Sequence, residues 1–215
     1  MIKGAIFDVD GTLLDTMGTW HNCGVRYLAK FGIQADPGLG DILFTHTSET
    51  GARYLIDTYH LDMDADEVAE GLTKEMEDFY YNEADFKPGA KDLLDRLQDE
   101  GVPMTVATST DRYCIEAAFR RLGITDYFRG ILTCMEVGAT KSSPDIFYRA
   151  AELLGVADRD CWVFEDGLYA VKTAAKAGFR TVAVYDEISK NDWGELTELA
   201  DESVATLEDL DERSL

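Results

Sequence analysis

Short apolar runs alternate with helical patterns along most of the chain, and this alternation restricts the fold more than any other feature. Turn-forming or acidic residues bound each run, and the segments between most of the runs repeat apolar residues with the period of a helix. The runs are KGAIFDV, VPMTVATS, GILT, CWVFED and RTVAVYD. This order predicts an α/β fold in which helices cover both faces of a parallel sheet.

Three of the helical segments have well-marked ends. The predicted helices span residues 88–100, 111–122 and 144–154, and a glycine stands at or just beyond the end of each, as is common where a helix stops. Pro88 suits the first turn of the first helix, because an N–H is not needed there. We expect these helices to be crossover connections between parallel strands.

The stretch between the first apolar run and the helix at 88 is different. It contains the helical patterns WHNCGVRYLAKFG, SETGARYLIDTYH and DADEVAEGLTKEMEDFYY, with no convincing strand among them. We therefore predict a helical domain over residues 16–85, inserted into a larger domain formed by residues 1–15 and 86–215. The C-terminal stretch DESVATLEDLDERSL is assigned one short edge strand and a final helical turn.

Charge and composition narrow the range of functions. The formal net charge is −22, from 42 acidic and 20 basic residues, so neither a nucleic-acid backbone nor an anionic membrane surface is an expected partner. The 4 cysteines include no C-x-x-C pair, which argues against a zinc site or a disulfide frame and favours a reducing compartment. No segment has the pattern of a signal peptide or a membrane span. We expect a monomeric cytoplasmic protein.

Polar residues follow the predicted strands at the positions where a parallel sheet binds ligands. In open parallel sheets, the carboxyl ends of the strands meet loops and helix N-termini at one edge. A lysine, Lys141, precedes the predicted helix at 144. The residues that follow the strands are Asp8, Asp10, Thr108, Ser109, Glu165 and Asp166.

The pair formed by Asp8 and Asp10 requires a cation nearby. Alternate residues of a strand point the same way, so the two carboxylates would crowd one place and repel each other. A divalent cation such as Mg²⁺, together with the ammonium group of Lys141, would neutralise them. The hydroxyls of Thr108 and Ser109 suit phosphate oxygens. This set predicts a site for a metal ion and a phosphate group.

Four segments, in this order, resemble the motifs of the haloacid dehalogenase-like superfamily. They are DVDGT at 8–12, ATS at 107–109, Lys141 with the following Pro144-Asp145 pair, and Glu165-Asp166. Average residue frequencies give the first motif by chance in about one in a hundred chains this acidic, and the ordered set of four is far more specific. The nearest branch contains phosphatases and β-phosphoglucomutases with a helical cap after the first motif. The resemblance covers nearly the whole chain and implies a Rossmann-like three-layer core, with residues 16–85 as the cap.

The resemblance also implies a mechanism. Asp8 would attack phosphorus to form an aspartyl-phosphate, and Asp10 would protonate the departing alkoxide and then activate water. Mg²⁺ would be held by the Asp8 carboxylate, the Asp10 backbone carbonyl and Asp166, with the side chain of Asp10 outside the ligand set. Glu165 is implied either as a direct ligand or as a partner of a ligand. The residues implied in binding the transferring phosphate are Thr108, Ser109 and Lys141.

Two positions depart from the family pattern. Ser142 replaces the proline that often follows the lysine, and Gly167 stands where a serine commonly follows the paired acids. Neither change removes a charged group that the mechanism requires. We therefore expect them to affect the rate or the metal affinity more than the presence of activity.

Each candidate residue also has a purely structural interpretation. Thr108, Ser109 or Asp111 could cap the helix that follows them. Lys141 alone could be a solvent-facing lysine, and the acid pair at 165–166 could be favoured by the dipole at a helix start. We interpret these residues as a functional site only because they occur together, in the order of the four motifs.

Polar residues outside the motifs carry no assigned chemistry. His21 and His46 stay undecided as acid–base groups. Arg53 and Lys87 could contact a substrate, but they are interpreted as residues that solvate the surface.

Three functions are compatible with the motifs. The first is a Mg²⁺-dependent phosphatase for a small phosphorylated metabolite, which Asp10 favours because the alkoxide of an ester needs a proton. The second is a hexose-phosphate mutase, in which the aspartyl-phosphate returns its group to a sugar instead of water, depending on how well the cap excludes water. The third is a phosphate-binding protein without catalysis, which the full set of charged residues disfavours.

Overall fold

The computed structural model describes residues 2–211. This part of the chain divides into two units, one formed by the residues up to Thr16 together with those from Ala84 onward, and the other by Met17–Glu83. The larger unit contains a six-stranded sheet, and the smaller unit is helical. The predicted α/β fold with a helical insertion after the first strand is confirmed.

All neighbouring strands of the sheet run parallel, in the order β3-β2-β1-β4-β5-β6. The strand order therefore changes direction beside β1, which is the place where open parallel sheets bind ligands. The strands are β1 Gly4–Phe7, β2 Met104–Thr108, β3 Phe128–Thr133, β4 Cys161–Glu165, β5 Arg180–Val184 and β6 Glu202–Val204.

The central strands are buried on both faces. Every residue of β1, β2 and β4 is buried. The ring of Phe7 stacks on that of Phe164 with centroids 4.4 Å apart, and it meets the ring of Phe128 edge to face. Because both faces are covered, these strands appear in the sequence as continuous apolar runs without alternation.

The smaller unit has its own helices and its own apolar core. The first two long helices begin at capping boxes, in which the side chains of Thr47 and Asp64 accept hydrogen bonds from N–H groups three residues later. Small residues allow close packing, since a Cβ at Gly71 would lie 2.3 Å from the ring of Tyr27. The helices are α1 Met17–His21, α2 Cys23–Ala29, α3 Leu39–Leu43, α4 Ser48–Tyr59 and α5 Ala65–Asn82.

The helices of the larger unit connect its strands. The second and fourth of them end at glycines in the left-handed conformation, Gly123 and Gly155, as the sequence predicts. The sixth strand and a short 3₁₀ turn at Leu207–Asp209 match the predicted edge strand and final turn, and residues 212–215 lie outside the described part of the chain. The helices are α6 Ala90–Asp99, α7 Arg112–Leu122, α8 Cys134–Val137, α9 Asp145–Leu154, α10 Leu168–Lys176 and α11 Trp193–Leu199.

The helix predicted to start at Pro88 begins two residues later, at Ala90. Gly89 has a φ of 81°, a left-handed conformation that cannot belong to a right-handed helix. A Cβ at this position would also lie 2.2 Å from the backbone nitrogen of Glu208. Pro88 therefore precedes the helix, and its carbonyl accepts a hydrogen bond from the N–H of Leu207.

No helix within residues 2–211 is long and apolar enough to cross a membrane. All four cysteines of the chain are free thiols, two of them buried and two half-buried.

Candidate active site

The candidate site lies at the carboxyl edge of the sheet, where β1 and β4 adjoin. Phe7 pairs with Phe164, and the N–H of Asp8 donates to the carbonyl of Phe164 at 3.0 Å. This parallel register sets Asp8 level with Glu165, the last residue of β4, and Asp166 follows directly. Asp8 belongs to the first sequence motif and the Glu165-Asp166 pair to the last. They lie close together because β1 and β4 are neighbours and end at the same level of the sheet.

Asp8, Glu165 and Asp166 form a buried cluster of carboxylates. One carboxylate oxygen from each residue lies within 4.8 Å of the other two, and Glu165 is only 2% exposed. Within residues 2–211 this is the only group of three or more histidine, cysteine or acidic side chains arranged in this way. A close set of oxygen donors suits a hard divalent cation such as Mg²⁺.

Lys141 supplies positive charge to this cluster. Its Nζ contacts the carboxylate of Asp8 and donates to Oε1 of Glu165 at 2.7 Å, and the residue is almost fully buried. The second oxygen of Glu165 accepts a hydrogen bond from the N–H of Gly167 at 2.8 Å. When all three carboxyl groups are ionised, one ammonium group leaves excess negative charge, which is the charge that a bound divalent cation would neutralise. The donor set therefore fits the expected metal.

Burial shifts the pKa values of the cluster. Burial raises the pKa of Asp8 to about 8, with the charge of Lys141 opposing the shift and the charges of Glu165 and Asp10 adding to it. Burial also raises the pKa of Asp166 well above its ordinary range, and the charges of Glu165 and Asp8 add to the effect. For Lys141, burial would lower the pKa, but the carboxylates of Asp8 and Glu165 outweigh it and the pKa is raised. A cation at the cluster would favour the ionised acids.

The side chain of Asp10 is not part of the carboxylate cluster and is held by two hydroxyl groups. Thr16 Oγ1 donates to Asp10 Oδ1, and Thr110 Oγ1 donates to Asp10 Oδ2, each at 2.7 Å. Between Asp10 and Thr16 the chain turns at Gly11, whose φ of 82° is left-handed. The N–H of Gly11 donates to the carbonyl of Leu14 and closes this turn. Neither threonine belongs to the residues that the sequence motifs predict for the site.

The loop after β2 contains the two predicted phosphate-binding hydroxyls in different settings. Thr108 is fully buried, and its Oγ1 accepts a hydrogen bond from the N–H of Thr110 at 3.0 Å. Ser109 is exposed, and its Oγ lies 3.5 Å from Sγ of Cys134. Asp111 occupies the N-cap position of α7, but its side chain makes no capping hydrogen bond. The loop is therefore shaped by Thr108, and Ser109 is presented to solvent.

Tyr169, in the first turn of α10, places a phenol group at the site, and this residue is not among those that the sequence motifs predict. Its hydroxyl is hydrogen-bonded to Ser109, and burial raises the pKa of Tyr169 to about 12, with the charge of Glu165 adding to the shift. The ring has room because residue 167 is glycine: a Cβ there would lie 3.2 Å from Cε1 of Tyr169. Residue 167 is commonly a serine in the family, and in this chain it is a glycine with the ring of Tyr169 packed beside it.

A second buried ion pair lies just after β5. Lys87 Nζ donates to Oδ2 of Asp186 at 2.8 Å and to a backbone carbonyl at 2.7 Å, and both side chains are nearly buried. The charge of Asp186 is one cause of the raised pKa of Asp166. The interpretation of Lys87 as a solvating surface residue is therefore wrong. Arg53, by contrast, is exposed and pairs with an exposed glutamate on its own helix.

The family follows from comparison with known proteins. Residues 2–178 match the model of the haloacid dehalogenase-like hydrolases. The chain belongs to this hydrolase family. The resemblance inferred from the four ordered motifs is confirmed, and with it the prediction that the protein is an enzyme of this family.

Relatives of known name cover most of the chain. It is 29% identical over 185 residues to a fructose-1-phosphate phosphatase of Escherichia coli (strain K12), and the aligned region covers 84% of this chain and 95% of that protein. It is 28% identical over 200 residues to a β-phosphoglucomutase of Bacillus subtilis (strain 168), covering 85% and 83%. A crystal structure of a Thermotoga maritima protein has a TM-score of 0.83 at 22% identity, covers 94% of each chain, and shows the same fold.

Proposed function

We propose that this protein is a Mg²⁺-dependent phosphatase that hydrolyses a small phosphorylated metabolite through an aspartyl-phosphate on Asp8. The observation that carries the proposal is the contact between the Lys141 ammonium group and the Asp8 carboxylate inside a buried acidic cluster. A phosphate ester is an anion that an unassisted carboxylate would repel, and Lys141 lies where it reduces that repulsion. Similarity to a fructose-1-phosphate phosphatase supports a phosphate ester as the substrate.

Asp8 and Asp10 have different roles in the proposed reaction. An oxygen of Asp8 bonds to phosphorus while the bond between phosphorus and the alcohol oxygen of the substrate breaks. Asp10 gives its proton to that departing oxygen. In the second step Asp10 takes a proton from the water that attacks phosphorus, which releases inorganic phosphate and restores Asp8.

The metal would be held by the carboxylates of Asp8 and Asp166 with the backbone carbonyl of Asp10. When bound, Mg²⁺ offsets the negative charge of the transferring group. Of the two roles open to Glu165, we favour the indirect one, because its oxygens already accept from Lys141 and from the N–H of Gly167. Glu165 then fixes the position of the ammonium group.

The transferring oxygens are proposed to bind Lys141 and Ser109. The hydroxyl of Thr108 is assigned to the shape of the loop, since it is buried and accepts from the N–H of Thr110. Residues 16–85 are retained as the proposed cap, and residues 1–15 with 86–215 as the proposed catalytic core. A monomeric cytoplasmic enzyme that binds a small phosphorylated metabolite, and neither nucleic acid nor membrane, also remains our expectation.

A hexose-phosphate mutase is the second candidate, favoured by the similarity to a β-phosphoglucomutase. The two activities share the aspartyl-phosphate and differ in what accepts the phosphoryl group. A mutase would need a sugar bisphosphate for turnover and would release an isomeric sugar phosphate. A phosphatase would release inorganic phosphate without such a cofactor.

A substrate panel tests the proposal. Phosphate release is measured from sugar phosphates, phosphoglycolate and nucleoside monophosphates, with Mg²⁺, with a chelator, and with the variant Asp8→Asn. We expect turnover with Mg²⁺ alone and none in the other two conditions, whereas Asp99→Asn at an exposed position serves as a control that keeps full activity. Turnover by Asp8→Asn would refute the nucleophile, and Mg²⁺ binding without phosphate release would favour a protein that has lost catalysis.

A further inference from the structure

We infer that Thr110 is a positioning residue for Asp10. Its hydroxyl sets the orientation of the Asp10 carboxylate, which is the group proposed to donate and then to accept the proton. The inference rests on the proposed function and adds a residue to it. Thr110 Oγ1 donates to Asp10 Oδ2 at 2.7 Å, although the two residues are 100 positions apart. The four sequence motifs did not single out Thr110.

The carboxylate of Asp10 is held at both of its oxygens. Thr16 Oγ1 donates to the other oxygen at 2.7 Å, so the two donors together set the plane of the carboxylate. A carboxylate oxygen has two lone pairs, so it can accept a hydrogen bond from a hydroxyl group and also bind a proton. Asp10 can therefore be fixed in orientation and still donate to an alcohol oxygen or accept from water.

Thr110 is itself anchored to the sheet. Its N–H donates to Oγ1 of Thr108 at 3.0 Å, and Thr108 is the fully buried last residue of β2. Two successive hydrogen bonds therefore connect Thr108, at the end of a central strand, to Thr110 and Thr110 to Asp10. A group held by rigid elements in this way keeps the geometry that proton transfer requires.

The substitution Thr110→Val isolates this contact. Valine has nearly the shape of threonine and keeps the backbone N–H that bonds to Thr108, so the hydroxyl donated to Asp10 is the group removed. Thr110→Ser keeps a hydroxyl and is the matched control. Thr110→Ala removes the hydroxyl with less bulk and replaces the valine variant if that variant does not fold.

The measured quantity is kcat/KM for two kinds of leaving group. This ratio covers the steps up to departure of the alcohol, in which Asp10 acts as the acid. An alkyl phosphate releases an alkoxide that needs a proton, whereas p-nitrophenyl phosphate releases a stable anion that does not. Misplacement of Asp10 should therefore affect the two substrates unequally, and a general defect in folding or phosphate binding should affect them equally.

For Thr110→Val we expect kcat/KM to fall by about 10-fold or more with the best alkyl phosphate of the panel and by less than about 3-fold with p-nitrophenyl phosphate. Thr110→Ser should restore most of the alkyl phosphate activity, and Asp10→Asn should show the same pattern more strongly. Equal losses on both substrates, no loss on either, or no rescue by serine would overturn the inference.

If the proposed function itself is wrong, the measurements would give a different result. The unmodified protein would then release no phosphate from either substrate in Mg²⁺, which would overturn the function and the inference together. Failure of the inference alone leaves the rates of the unmodified protein intact and shows only in the pattern of the Thr110 variants.

Discussion

The ammonium group of Lys141 contacts the carboxylate of Asp8 across 133 positions of the chain. Lys141 precedes α9, Asp8 follows the central strand, and both residues are nearly buried. A buried charge that loses its partner is strongly destabilising. Formation of the sheet and assembly of the candidate site are therefore coupled through this pair.

Removal of the Lys141 charge should destabilise the protein. In Lys141→Met, the buried carboxylates of Asp8 and Glu165 would lose their ammonium partner, and we expect the free energy of unfolding to fall by about 3–5 kcal/mol in the absence of divalent cations. Urea unfolding measures this change, and added Mg²⁺ should recover part of it. Lys74→Met, at a largely exposed pair with Asp78, should cost less than about 1 kcal/mol. Equal effects at the two sites would contradict the assignment.

The pH dependence of stability should reveal the raised pKa of Asp8. Burial raises this pKa from 3.8 to about 8, so between these values the folded protein holds a proton that the unfolded chain has lost. The contribution of Asp8 to stability is therefore greatest below the unfolded pKa and is lost as the pH rises toward about 8.

Because other groups titrate as well, the measurement is the difference in unfolding free energy between the unmodified protein and Asp8→Asn, in chelator, across that range. We expect the difference to move in favour of the variant as the pH rises and then to level off. A difference that does not depend on pH would contradict this prediction.

The turn at Gly11 should not tolerate a side chain. Its φ of 82° would cost about 1–2 kcal/mol for alanine, and distortion of the turn would displace Asp10 and lower activity. Gly18→Ala is a suitable comparison, because this helical glycine has open space around the position of a Cβ. Urea unfolding should show a loss for Gly11→Ala and a gain of about 0.5–1 kcal/mol for Gly18→Ala.

In the smaller unit, two glutamates that pair with Arg26 should differ in importance. Glu75 is almost fully buried, accepts from Arg26 Nε at 2.7 Å and also contacts Lys30, whereas the side chain of Glu83 is half exposed. We expect Glu75→Ala to lower the free energy of unfolding by about 1–3 kcal/mol and Glu83→Ala by less than about 1 kcal/mol. Denaturant titration followed by helical circular dichroism measures both, and the reverse ranking would contradict the assignment.

The sequence predicts the strands and the positions of Asp8 and Asp166 because a strand buried on both faces leaves an unbroken apolar run, and the residue after it stands at the sheet edge. Sheet order is not encoded in such local patterns, so the adjacency of β1 and β4 could not be derived from them. The hydroxyls of Thr16 and Thr110 were missed for a related reason: threonine is common in loops, and only the folded chain brings these two to Asp10. The helix start at Ala90 was missed because the left-handed conformation of Gly89 depends on the chain packed against it.

The central place of β1 has a consequence for synthesis. The first strand leaves the ribosome well before one of its two hydrogen-bonding neighbours, β4, Cys161–Glu165. Until that distant segment has been translated, the nascent strand has an open edge that invites aggregation. A polypeptide whose translation stops before β4 thus contains the proposed nucleophile Asp8 but lacks Asp166, a proposed metal ligand, so the proposed site can form only after β4 and the residues that follow it have been made.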